Sequence, residues 1–149
     1  MSHELRAERL IDATPDEVFD AYTDPEQMEG WFTILDPGMI VENVIDLRVG
    51  GTWESAWGYS RDEMFRETQV LEVVERPHRL VSRSTGSDSE GNSQDTRVEI
   101  TFSDEGGKTL MTIVQSGFVD EETRDFFANT AWEGFFDRIS AYLAARKTA

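Results

Sequence analysis

The C-terminal segment repeats large apolar residues at helical spacing, and this restricts the fold more than any other feature of the chain. Ala128, Ala131, Trp132, Phe135, Phe136, Ile139, Tyr142 and Leu143 fall on one stripe at about 100° per residue, while Glu133, Asp137 and Ser140 lie opposite. With Asp120 as cap, the pattern predicts one helix running to about Arg146, roughly 40 Å long and able to cross a whole sheet. So wide an apolar stripe needs a broad surface to cover.

Most of the remaining chain alternates as strands do. Leu5 to Ile11 reads as a first strand, and extended segments resume near residue 40, with Gly50-Gly51 as a tight connection. In Trp53-Glu54-Ser55-Ala56-Trp57 the two tryptophans share a face with Ser55. Phe65 to Glu75 and Leu80 to Thr85 follow, joined across Pro77, and Gly86 to Gln94 reads as a mobile hairpin loop. Val98, Ile100 and Phe102 alternate with charged and polar residues, and Thr109 to Ser116 returns after Asp104-Glu105-Gly106-Gly107.

Between the first strand and the rest lie two helix starts. Thr14-Pro15 with Glu17 makes a capping box, and Asp24-Pro25 repeats the cap-and-proline signal for a second short helix ending near Gly30. An antiparallel sheet has one face to bury, and only the C-terminal helix is long and apolar enough to cover it. The expected fold is therefore α+β: a curved antiparallel sheet of about six to seven strands around a long C-terminal helix, with two short helices after the first strand. At 149 residues, residues 1–149 are expected to form a single domain.

These residues resemble the START-like, helix-grip superfamily (SRPBCC), and within it the branch named after the activator of the heat-shock-protein-90 ATPase. Ala13-Thr14-Pro15 through Val18-Phe19, Thr23-Asp24-Pro25-Glu26, Trp31-Phe32 and Asp46-Leu47-Arg48-Val49-Gly50-Gly51-Thr52-Trp53 carry the likeness. Arg79-Leu80-Val81, Thr101-Phe102, Gln115-Ser116-Gly117-Phe118 and the Trp132 helix continue it. The resemblance implies a cavity between sheet and helix, used across the superfamily for apolar small molecules, and it implies no activity. The chaperone activators carry an additional N-terminal domain, so a co-chaperone role is not expected. Ala131 stands where the family often has glycine, and Ser82 and Ser84 stand where bulkier apolar residues are common. Facing inward, the serines would make the pocket wider and more polar; facing outward, they would be surface residues.

The inventory of reactive groups is short. There is no cysteine, which excludes disulfides, thiolate metal sites and cysteine nucleophiles. Of the two histidines, His3 lies in a terminus expected to fray, and His78 lies in the turn Arg76-Pro77-His78-Arg79, so neither a histidine triad nor a two-histidine metal site is expected. Cofactor and metal are both read as none. The net charge of −16, from 30 acids against 14 bases, repels phosphate backbones and anionic lipids. Neither nucleic acid nor membrane is an expected partner. No apolar run approaches the roughly 20 residues of a membrane span, and Met1-Ser2-His3-Glu4-Leu5-Arg6 lacks the layout of a signal peptide, so the expected location is the cytoplasm.

Candidate site residues come from the aromatic clusters and a few polar groups on strands. Trp53 and Phe102 are expected in the core. Trp31, Phe32 and Trp57 lie near segment ends, where a cavity mouth would be, and Phe65, Trp132, Phe135 and Phe136 supply further wall. Glu67, Ser84 and Gln115 are the polar candidates. Gln115 shares a face with Met111 and Ile113, so a buried amide bonded to a neighbouring backbone group is expected. Arg66 and Glu67 are adjacent and face opposite sides, so at most one enters the pocket, and solvent is the default for each. Chance pairs of carboxylates abound in so acidic a chain, and none marks a catalytic residue. The leading reading is a domain binding an apolar or amphipathic small molecule, as monomer or homodimer. A cyclase-like or hydrolytic enzyme using a pocket carboxylate comes second, and an interaction domain for a chaperone or regulator third. A buried carboxylate facing ligand would favour the enzyme; a filled cavity with a wide apolar patch would favour the interaction domain.

Overall fold

The computed structural model describes residues 3–147. Seven antiparallel strands form one curved open sheet: β1 (His3–Ile11), β2 (Ile40–Ile45), β3 (Thr52–Gly58), β4 (Met64–Glu75), β5 (Arg79–Ser87), β6 (Ser93–Glu105) and β7 (Lys108–Phe118). Their order is β1-β7-β6-β5-β4-β3-β2, so β2 to β7 form a meander and β1 closes onto the last strand. Each consecutive pair needs only a hairpin or short loop. β1 is the exception, because α1 (Pro15–Thr23) and α2 (Pro25–Thr33) carry the chain from one sheet edge to the other.

Both helix starts form as the sequence dictates. The Thr14 hydroxyl accepts from the Glu17 amide while the Glu17 carboxylate accepts from the Thr14 amide, and Asp24 accepts from the Glu26 amide. The second helix runs to Thr33 rather than stopping near Gly30. Gly30 is a contact point instead: a Cβ there would lie 2.7 Å from the Tyr142 ring. Only glycine lets α2 approach the C-terminal helix so closely.

The long helix comprises α3 (Glu121–Phe126), a π-helical turn (Phe127–Ala131) and α4 (Trp132–Lys147). Asp120 caps it, accepting from the Thr123 amide at 2.7 Å. Trp132, Phe136, Ile139 and Leu143 are buried against the concave face, and Glu133 and Asp137 lie on the flank toward β1, where Arg9 binds them at 2.6 and 3.0 Å. Trp53 and Phe102 sit in the core, and Tyr22 packs its ring against Trp31, Trp53 and Phe102.

Two connections differ from the sequence reading. Gly50-Gly51 ends a loop over residues 46–51 rather than forming a two-residue turn, and its amide and carbonyl pair with Leu71 where β4 shifts register. The polar segment Gly86 to Gln94 forms a hairpin whose ends are strand: Gly86 pairs with Gln94 and Ser87 with Ser93, leaving residues 88–92 as the loop, in which Asp88 accepts from the Glu90 and Asn92 amides. Backbone pairing needs no apolar side chain, so composition hid these ends of the ladder. His3, expected to fray, opens β1 opposite Phe118, and His78 is exposed in its turn. No helix among the described residues is long and apolar enough to cross a membrane.

Phe136 is fully buried, packed on Trp132 and under the Arg9 guanidinium. Phe136→Ala is expected to cost about 3–5 kcal/mol in urea unfolding, the range for emptying a closed core site. A loss below about 1 kcal/mol would mean that this face of the helix is not packed as described.

Candidate functional site

Strand parity determines what the concave face offers. β4 turns Phe65, Glu67, Gln69 and Leu71 inward and leaves Arg66, Thr68 and Val70 to solvent. β5 turns Ser82 and Ser84 inward, both buried, so the inward register of the serines is the observed one. Thr96 on β6 and Gln115 on β7 continue the row, and Gln69, Ser84 and Thr96 are direct cross-strand neighbours. A band of small or polar side chains therefore crosses a surface that is otherwise apolar.

Each buried polar group in the band has a partner. Ser82 donates to Gln69 at 2.6 Å and Ser84 donates to Glu67 Oε2 at 2.5 Å. The Trp132 indole N–H donates to Gln115 Oε1 at 2.8 Å, and Gln115 Nε2 donates to Thr96 Oγ1 at 2.9 Å. Gln115 thus bonds to side chains on both sides rather than to neighbouring backbone, and it ties helix to sheet.

Between this part of the sheet and the helix a cavity of about 300 Å³ remains, and the band faces it with Glu67, Gln69 and Gln115. Its walls are mainly rings. Trp57 lies 4.7 Å from Phe65, 5.1 Å from Phe32 and 6.0 Å from Phe135, and Phe135 lies 5.5 Å from Trp132. Opposite them the helix contributes Phe127, Thr130 and Ala131 from its π-helical turn. Inserting one residue per turn shifts the side-chain stripe, and here that shift lies along the cavity wall.

Glu67 is the acid inside. It keeps some accessible surface because it opens on the cavity, yet its carboxylate is enclosed by protein, and this burial pushes its pKa up against the opposing Ser84 hydrogen bond. Tyr22, also on the cavity, is raised by burial and then by the Glu67 charge, so its phenol stays protonated. The one cation in the lining, Arg138, is held by Asp36, which accepts from its Nε at 3.0 Å and from the Tyr59 hydroxyl at 2.7 Å. Those two hydrogen bonds, Tyr59 foremost, hold the Asp36 carboxyl below its ordinary value. The contact joins the α2–β2 loop, the β3–β4 loop and α4 across one end of the cavity.

The other end is open. Phe65, Phe126 and Phe127 line both the cavity and an outer groove, whose rim carries Asp88, Asp120 and Glu122 and, among the described residues, neither Lys nor Arg. From Phe126 to Arg138 the chamber spans roughly 18 Å of helix. No cluster of three or more His, Asp or Glu disposed to hold a metal occurs among the described residues.

Of the residues singled out from sequence, Phe32, Trp57, Phe65, Glu67, Gln115, Trp132 and Phe135 line the cavity. Trp31 does not: it is buried beneath Phe32, with its indole N–H donating to the Ala21 carbonyl at 2.8 Å, because α2 turns that face to the core. Phe136 faces the sheet on the closed side, and Ser84 sits behind Glu67 as its hydrogen-bond donor. Glu67 leaves solvent for the interior, against the default given to it. Sequence reading missed Tyr22, Gln69 and Arg138. Gln69 was detectable, since it shares parity with Glu67; Arg138 was not, because its position depends on Asp36, 102 residues away.

A family model described as "Activator of Hsp90 ATPase homolog 1-like protein" matches residues 12–144. No curated protein matches the sequence significantly. Among solved structures, an uncharacterized protein from Rhizobium leguminosarum superposes with a TM-score of 0.81 at 20% identity, covering 97% of this chain and 96% of its own. Protein Ms6760 from Mycobacterium smegmatis gives 0.75 at 21% identity over 94% and 90%. CalU16 from Micromonospora echinospora gives 0.66 at 22% identity over 95% and 74%. These likenesses establish the shared helix-grip fold, and with the family match over nearly its whole length, the chain belongs to the Activator of Hsp90 ATPase homolog 1-like family.

Proposed function

We propose that this protein binds an apolar or amphipathic small molecule in the chamber between the sheet and the C-terminal helix. The observation that carries this reading is a cavity of about 300 Å³ with aromatic walls and an inward polar band. Ligand sites of this kind combine apolar enclosure with a few directed polar groups. A sheet that only had to pack a helix would present apolar side chains at positions 67 and 69 and leave no space above them, since an unfilled interior forfeits dispersion energy.

One observation favours a second reading. Glu67 is a carboxyl whose pKa is raised above its ordinary value inside a ligand-sized chamber, a disposition shared by catalytic acids and bases. Reaction chemistry would then begin at Glu67, beside the neutral Tyr22 phenol. The unfilled cavity supports both of these readings over an interaction domain with a solid core.

Native mass spectrometry of freshly purified protein is expected to show a small molecule bound to the wild type. Ala131→Trp, which adds an indole from the π-helical turn into the chamber, should abolish that adduct while leaving the urea midpoint unchanged or higher. An adduct that survives the substitution would move the site elsewhere.

Glu67 also predicts a pH-dependent stability. Its folded pKa lies above the ordinary 4.5, so its contribution is complete below that value and is lost as pH climbs through the folded pKa. Above that window the buried carboxyl therefore weakens the fold. Glu67→Gln is expected to raise the urea midpoint at pH 7, with the gain shrinking toward pH 4. A lower midpoint at pH 7 would show that the carboxylate is solvated or paired.

A further inference from the structure

We infer that the ligand of this chamber is an amphipathic cation, an organic ammonium joined to an apolar or aromatic body. The inference rests on the binding reading above and specifies its chemistry. Its first support is geometric. Glu67 Oε2 accepts from Ser84, and among the described residues nothing donates to Oε1, so the carboxylate presents a vacant acceptor to the cavity. Around it stand Trp57, Phe65, Phe135 and Tyr22, ring faces and edges that replace water around an ammonium by cation–π attraction.

The second support is that, among the described residues, no unpaired cation faces Glu67. The groups facing Glu67 are Tyr22 from α1, a neutral phenol, Ser55 and Ser84 from the adjoining strands, and the helix, whose Arg138 is already held by Asp36. A buried carboxylate without a cation is costly, and a ligand that brings the positive charge removes that cost, whereas a neutral ligand leaves it and an anion doubles it. The third is the entrance, whose lining among the described residues holds Asp88, Asp120 and Glu122 and neither Lys nor Arg. Added to a net charge of −16, this rim concentrates cations at the mouth and repels anions.

The test compares two probes of one shape on the full chain: phenethyltrimethylammonium, and its neutral isostere with carbon in place of nitrogen, (3,3-dimethylbutyl)benzene. Binding is read by tryptophan fluorescence, with Trp57 and Trp132 in the wall. At pH 7 the cation is expected to bind about tenfold or more tightly than the isostere. Glu67→Gln should reduce that ratio to about twofold or less without weakening the isostere. Glu54→Gln, an exposed charge on the outer face of β3, should leave the ratio unchanged, separating the chamber from general attraction to an acidic protein. In the wild type the ratio should fall as pH drops through the Glu67 pKa, a readout independent of any variant. Equal binding of the two probes overturns the cation inference and leaves the binding reading standing. A ratio that Glu67→Gln leaves intact also overturns it. Failure of both probes to bind overturns the inference together with the reading beneath it.

Discussion

The relay from the Trp132 indole through Gln115 to Thr96 sets how closely the helix approaches the sheet. All three groups are buried, so breaking one link strands the others without water, at about 1–3 kcal/mol for each orphaned group. The relay therefore pins α4 to β7 and β6 on one side of the concavity, while Arg9 holds the same helix from β1. On the other side, β4 turns Glu67 and Gln69 inward, each hydrogen bonded to a serine of β5. The helix cannot settle there without breaking the relay, and the chamber is the space that results.

Much of this was legible in the sequence, and what was not has a common cause. Caps and periodicity are local: Thr14, Asp24 and Asp120 cap the helices they were expected to cap, and Trp132, Phe136, Ile139 and Leu143 of the apolar stripe are buried as read. Parity placed Glu67 opposite Arg66, but parity leaves open which of the two faces the core. That depends on Trp53 and Ser55 of β3 and on the serines of β5 sharing one face, which is a property of the assembled sheet. Trp31 was misplaced for the same reason. Proximity to the end of a segment says nothing about which side of α2 meets Ala21 and Tyr22.

Stability and the proposed binding are opposed at one side chain. An isolated carboxylate in an apolar chamber weakens the folded state, and a sequence selected only for stability would carry leucine or glutamine at position 67. A glutamate there becomes intelligible if a cation completes the site. The open end, bounded by Phe65, Phe126 and Phe127 beneath an acidic rim, and the end closed by Asp36, Arg138 and Tyr59 give the chamber a direction, with the charged acceptor one pleat inside the entrance.

The central claim is therefore that Glu67 is an uncompensated carboxylate inside a ligand chamber, and the most direct measurement is its own titration. In protein carrying ¹³C-labelled glutamate, with Glu67→Gln assigning the signal, the Glu67 carboxyl resonance should titrate above the ordinary 4.5 in the free protein. Saturating phenethyltrimethylammonium should bring that midpoint down. A midpoint at or below 4.5 that the cation leaves in place would contradict the account.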